Sequence, residues 1–301
     1  MMKKTQSILI SNENGGLGNR LKSWVSVMRI SREPLVYWEV NNSMPASFHD
    51  LFSNNCEIKT IPKDVITHKS WLLSILSEDR DLLPYRFSTV CSPVNPLIRG
   101  IGKLFWRLSK KDNDRYKYML FPKTHSKKIV RLDARHIDLE YERIPFYFRE
   151  VYSKLFQKIK FNEDIKKQAD LWSKDNIDSQ TIGIQIRTWR DYPYRYNKYY
   201  KPSIIRLKKL MDRATNNKFL IVSDSEEVIE SLAKIYGLDR IIFFPRKTIR
   251  SQSWNSKDGI KEDLIDMLIL AKTKNIYASY LSTFSEVSWW LGGAKANVII
   301  F

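Results

Sequence analysis

At 301 residues, 43% hydrophobic and 13% aromatic, the chain is long enough for two domains of about 150 residues with apolar cores. No apolar run approaches the roughly 18 residues of a membrane helix, and Ile8 to Ile10 is too short for a signal peptide core, so a cytoplasmic protein is expected. The net charge of +18 calls for an anionic partner, while Cys56 and Cys91 form no metal or redox spacing.

In chain order, Gln6 to Ser11 reads as a short strand, followed by a loop with Gly15, Gly16 and Gly18 and an amphipathic helix marked by Leu21, Trp24, Val25 and Met28. Strand, glycine loop and helix open a nucleotide-type α/β domain. The spacing matches neither the dinucleotide fingerprint nor the P-loop, and the plainer reading is a tight turn before a packed helix. Asn19 and Arg20, directly after the last glycine, favour a loop that faces a ligand. Pro34 to Val40 is a second strand, His49 to Phe52 a helical turn and Glu57 to Ile61 a third strand. Thr67 to Pro96 shows no sustained period. Leu97, Ile101, Leu104, Phe105 and Leu108 share one helical face, with Arg99, Lys103, Arg107 and Lys110 opposite. This basic amphipathic helix at 97–111 suits peripheral contact with an anionic membrane, or is an ordinary surface helix with a solvated face.

Lys128 to Leu132 reads as a strand, Pro145 to Lys158 as a helix and Phe161 to Ser173 as a connecting helix. The expected boundary lies there, giving domains 1–160 and 161–301. Beyond it strands at 181–186, 218–222, 240–244, 276–278 and 297–301 alternate with helices, the pattern of a doubly wound sheet. Two such domains would place a ligand in the cleft between them.

Four stretches carry candidate chemistry. Arg187 stands at the carboxyl tip of a buried strand, where an arginine needs an anion, and its fork matches phosphate oxygens; a salt bridge to Asp191 or Asp224 would satisfy it equally. In Ser223-Asp224-Ser225, Asp224 or Ser225 caps the next helix. Asp263 and Asp266 share a helix face and could accept from guanine, or pair with Lys261 and its neighbours. Ser282-Thr283-Phe284-Ser285 opens a helix after a strand, where free N–H groups and the macrodipole favour phosphate, unless Ser282 is simply an N-cap.

Taken together, GGLGNRL at 15–21, IGIQIRTWRD at 182–191, VSDSEE at 222–227 and DMLILAKTKNIYASYLSTFSEVSWWLGG at 266–293 resemble, in order and rough spacing, the fucosyltransferase superfamily. It includes α-1,2- and α-1,6-fucosyltransferases and protein O-fucosyltransferases. The resemblance implies a GT-B fold of two Rossmann-like domains facing across a cleft. It also implies GDP-fucose or a related GDP-sugar as donor, a glycan or other hydroxyl as acceptor, inversion at the anomeric carbon and no cofactor or obligatory metal. Arg187 would then neutralise the diphosphate, and Ser282, Thr283 and Phe284 would donate to it. Asp266 and Asp224 would hold guanine or ribose, and Gly15, Gly16, Gly18 and Asn19 would reach sugar and acceptor. Two positions depart from the pattern: Gln185 stands where the family has His, and Asp191, the candidate acceptor base or positioner, sits one residue late. The rival class is a non-catalytic nucleic-acid or anionic-surface binder, but no nucleic-acid motif is present and no nucleic acid is expected.

Overall fold

The computed structural model describes residues 7–9, 16–30, 35–38, 40–55, 58–59, 146–279 and 282–301. The chain divides into two units, Met1–Ser43 with Asn55–Ile137, and Met44–Asn54 with Asp138–Phe301. The expected boundary at 160 differs from this division by the helix Phe146–Phe156 and the segment Met44–Asn54. Both group with the second unit, for packing reasons given below. Gly15, the unassigned stretch 67–96, the basic helix at 97–111 and the strand at 128–132 lie outside the described residues.

In the first unit, strands β1 (Ser7–Leu9), β2 (Leu35–Tyr37) and β3 (Ile58–Lys59) pair in parallel in that order, with Ile8 opposite Val36 and Val36 opposite Ile58. Helix α1 (Leu17–Ile30) makes the crossover from β1 to β2 and buries Leu17, Leu21, Trp24 and Val25, spaced on one 3.6-residue face. It begins earlier than expected. The Gly16 carbonyl accepts from the N–H of Asn19 at 3.0 Å and of Arg20 at 3.2 Å, so Gly18, Asn19 and Arg20 belong to the first turn of the helix. Arg20 is fully buried, its guanidinium carbon 4.8 Å from the Trp38 ring centre. Its place is in the packing of the unit, and the expected ligand-facing role does not extend to it.

The second unit begins with the single turn α2 (Phe48–Leu51), fixed by a capping box: Ser47 Oγ accepts from Asp50 N–H, and Asp50 Oδ2 accepts from Ser47 N–H at 2.9 Å. Phe52 of this segment packs on Phe161, and Asp50 pairs with Lys257 at 3.4 Å. Helix α3 (Phe146–Phe156) buries Tyr152 and Phe156, the latter stacked on Trp290 with ring centres 5.9 Å apart. These aromatic contacts hold both segments in the second unit. Helix α4 (Glu163–Asn176), capped by Asn162, follows.

Five parallel strands form the second sheet: β4 (Ile182–Ile186), β5 (Phe219–Ser223), β6 (Ile241–Ile242), β7 (Asn275–Ala278) and β8 (Asn297–Ile300). Their order is β6-β5-β4-β7-β8, with Ile182 opposite both Phe219 and Asn275. Between them run α5 (Lys201–Arg213), α6 (Glu226–Tyr236), α7 (Lys257–Leu270) and α8 (Thr283–Leu291).

Strand β4 is buried along its whole length, as a central parallel strand must be. Its residues alternate between two layers. Ile182, Ile184 and Ile186 join Leu207 and Met211 of α5 and Val228, Ile229 and Leu232 of α6 in one core. Gly183 and Gln185 face the other way, toward α7 and α8. A Cβ on Gly183 would lie 2.5 Å from the Leu270 side chain, so glycine lets α7 press directly on the strand. Helix α7 is buried nearly all round, from Ile260 to Leu270, because it is covered by α4 and α8 as well as by the sheet.

Candidate active site

The strand order in the second unit reverses between β4 and β7. In open parallel sheets the crevice outside the carboxyl ends of the strands at such a switch point is where ligands bind. The first residue past β4 is Arg187, and the residue past β7 is Ser279. Ser279 Oγ accepts from the Arg187 N–H at 2.8 Å and donates to the Gln185 carbonyl at 3.0 Å, closing the two strand ends together. The Gln185 side chain continues this link: its Oε1 accepts from Ser285 Oγ in the first turn of α8 at 2.8 Å. Gln185 and Ser285 are both buried. A hydroxyl from the helix start is thereby bonded to the strand that carries Arg187.

At that helix start Ser282 occupies the N-cap position with extended backbone angles but makes no side-chain cap hydrogen bond. Ser282 is thus the N-cap by position, as the plainer reading expects, with its hydroxyl not engaged in capping. The first-turn N–H groups of any helix have no partner within the helix. Here Thr283 and Phe284 are half-exposed, and none of the hydrogen bonds among the described residues engages their N–H groups.

Arg187 itself resolves between its two expected partners. Nη1 pairs with Asp224 Oδ2 at 3.1 Å, while Asp224 Oδ1 accepts from the Thr188 N–H at 2.9 Å. Asp224 thus uses both oxygens to orient the arginine loop, and Ser225, not Asp224, takes the N-cap position of α6. The Arg187 side chain as a whole remains 37% exposed. Asp191 lies on the following turn, closed by Tyr192 N–H to Trp189 O at 2.9 Å. It is exposed, with no ion pair among the described residues. Trp189 adopts a left-handed φ of 57°, unusual for a bulky residue and consistent with a loop held by its side chains. The guanidinium carbons of Arg187 and Arg195 lie 5.3 and 4.9 Å from the Trp189 ring centre.

Asp263 and Asp266 do share a face, but their partners are not Lys261, which pairs with Asp258 at 3.7 Å. They meet two buried arginines from the segment after β6. Arg246 Nη2 donates to Asp263 Oδ1 at 2.7 Å and to the Gly259 carbonyl at 2.8 Å; Arg250 Nη1 donates to Asp266 Oδ2 at 2.7 Å. Glu262 completes the cluster, accepting from Arg246 Nε, from the N–H groups of Lys247 and Thr248, and from Thr248 Oγ1. Burial pushes the Glu262 carboxyl up, but the bonds from Thr248 and the backbone outweigh it and hold the group below its ordinary value. Burial lifts Asp266 above the usual carboxylate range against the pull of Arg250 and Arg246. Its Oδ1 is buried with no hydrogen-bond partner among the described residues.

Sequence reasoning passed over Arg246, Arg250, Glu262 and Ser279. The signal for the two arginines was their i, i+4 spacing directly after a strand in FFPRKTIR, opposite the acidic run EDLID. In the first unit Asn19 is half-buried, its Oδ1 enclosed and without a hydrogen-bond partner among the described residues. Gly16 is exposed and Gly18 buried. Among the described residues no group of three or more His, Cys, Asp or Glu is placed to hold a metal ion. No described helix is long and apolar enough to cross a membrane.

A five-stranded parallel sheet with a built switch point, preceded by a smaller parallel unit, defines a doubly wound α/β protein. No protein-family model matches the chain, and no curated protein matches it in sequence. Among solved structures it is similar to NodZ alpha-1,6-fucosyltransferase co-crystallized with GDP, with a TM-score of 0.52 and 14% identity over 95% of this chain and 92% of that one. It is similar also to fucosyltransferase NodZ from Bradyrhizobium, TM-score 0.50 and 15% identity over 95% and 92% of the two chains. POFUT1 in complex with GDP-fucose aligns at TM-score 0.50 and 10% identity, over 98% of each chain. The chain therefore has a fucosyltransferase-like fold of the GT-B kind.

Proposed function

We propose that this chain is an inverting glycosyltransferase that moves fucose from GDP-fucose to a hydroxyl of a glycan acceptor. The observation that carries this reading is the joining of Arg187 and the start of α8 at one switch point through Gln185 and Ser279. A guanidinium and a helix N-terminus whose cap side chain makes no capping hydrogen bond, at the carboxyl ends of neighbouring strands, suit a diphosphate. The solved relatives in fold are described with GDP and GDP-fucose.

In this reading the acceptor oxygen bonds to the anomeric carbon as the bond from that carbon to the β-phosphate oxygen breaks. GDP leaves with the electron pair, and the acceptor proton passes to a base. Negative charge develops on the diphosphate, and preorganised donors there lower the barrier. Arg187, oriented by Asp224, and the N–H groups and hydroxyls at Ser282, Thr283 and Phe284 take this role, which leaves no step that requires a metal. Asp266, expected at the nucleoside, is buried against Arg250 and Arg246 and is assigned to holding that segment, with Asp224 acting through Arg187. Gln185 acts as a strut for the helix start where an imidazole would stand in the family pattern. Asn19, with Gly16 and Gly18, is assigned to the sugar and acceptor, and Asp191 to the acceptor proton.

The test is a thermal-shift panel with GDP, UDP, ADP and CMP. Stabilisation by GDP alone, lost in Arg187→Ala, is expected. Equal shifts with all four nucleotides would identify a generic polyanion binder and overturn the reading.

A further inference from the structure

Directly after the arginine loop the chain forms a helical turn, Pro193–Arg195, and then a π-helical stretch, Tyr196–Tyr200, before α5. π-Helical turns recur at functional sites. From residue 187 to 201 this segment holds five tyrosines and five Lys or Arg against one acidic residue, Asp191. Tyr192 and Tyr194 are 53% and 70% exposed, large rings offered to water rather than to a core. Each is held by a cation. Arg195 lies 5.3 Å from the Tyr192 ring centre, and Lys198 lies 5.2 Å from that of Tyr194 and bonds its hydroxyl at 2.9 Å.

We infer that this face is the acceptor platform and that the acceptor it takes is an acidic saccharide. The inference rests on the glycosyl-transfer reading above and names its substrate class. The electron-rich face of a tyrosine attracts the C–H face of a sugar ring. Arg195 and Lys198 beside the rings supply the charge that a uronate or phosphate substituent would meet. The platform is joined to Arg187 through Trp189, whose ring centre lies 5.3 Å from the Arg187 guanidinium carbon and 4.9 Å from that of Arg195. A single-stranded nucleic acid would need a basic groove running over several nucleotides, and a membrane would need apolar side chains free to insert. This segment offers two exposed rings with cations fixed beside them.

The experiment measures binding of the full chain to a galacturonate hexasaccharide, neutral maltohexaose, phosphatidylglycerol vesicles and a single-stranded oligonucleotide, alongside GDP stabilisation. The acidic hexasaccharide should bind about tenfold tighter than the neutral one, and Tyr194→Ala and Lys198→Glu should each weaken it by about tenfold. Lys198→Arg should retain most of the binding. Equal binding of acidic and neutral sugars, unchanged affinity in both variants, or preference for the vesicles or the oligonucleotide would overturn the platform. Absence of GDP stabilisation in the wild type would overturn the glycosyl-transfer reading by itself. Loss of saccharide selectivity with GDP stabilisation intact would overturn the platform alone.

Discussion

Gln185 and Ser285, one hundred positions apart, share a buried 2.8 Å hydrogen bond that fixes the start of α8 against the strand carrying Arg187. Ser285→Ala would leave the amide oxygen without this donor in a buried site. A loss of about 1–3 kcal/mol in unfolding free energy is expected, measured by urea denaturation. A variant as stable as the wild type would show that the bond does not anchor the helix.

Arg187→Ala should lower the transfer rate about a hundredfold to a thousandfold, the usual consequence of removing one donor from a developing anion. Arg187→Lys keeps the charge but loses the fork that meets both Asp224 and a phosphate, so it should recover only part of the rate. Full activity in Arg187→Ala, assayed by release of GDP from GDP-fucose, would remove the arginine from the mechanism.

The buried cluster around Asp266 should be costly to break and cheap to replace. Arg250→Met leaves Asp266 with only the longer 3.4 Å contact to Arg246, and a loss of about 3–5 kcal/mol is expected. Adding Asp266→Leu should restore much of that loss, since the unpaired charge is then gone. If the double variant is no more stable than the single one in chemical denaturation, Asp266 has another role in the cluster.

Acid sensitivity follows from Glu262. Its folded carboxyl titrates below its ordinary 4.5, so between the two values the unfolded state binds more protons and stability rises with pH. The contribution is complete above about 4.5 and is lost as pH falls through the folded value. Asp266 runs in the opposite sense, its raised value removing stability as pH climbs above 3.8. The gap in melting temperature between wild type and Glu262→Gln should therefore be wide near neutrality and narrow below pH 4.5. A gap that stays constant down to pH 3 would exclude this role.

Two glycines should respond differently to alanine. Gly183→Ala sets a methyl 2.5 Å from Leu270 and 2.6 Å from Thr273, which should cost about 1–3 kcal/mol. At Gly16 an added Cβ meets nothing within 4 Å, and a change within about 0.5 kcal/mol is expected. Thermal unfolding of the two variants side by side distinguishes them.

What the sequence determined by itself was local. Runs such as TIGIQI and FLIVS, apolar and bounded by turns, can be satisfied only as buried strands, and the helices between them follow from a 3.6-residue period. That alternation fixes a doubly wound sheet, and with it the carboxyl ends where Arg187 and Ser282 to Ser285 must lie. Partner choice was decided by tertiary structure. Arg187 had two acidic candidates, Asp191 on its own loop and Asp224 after the next strand, and the β4–β5 pairing set it against the more distant Asp224 while leaving Asp191 exposed. Asp263 and Asp266 had a lysine nearby in sequence, yet burial of α7 turned them toward Arg246 and Arg250, because an interior carboxylate needs cations that are buried with it. Hydrophobic periodicity reports which face of a helix or strand is covered. It carries no information on which distant charge the covering element brings.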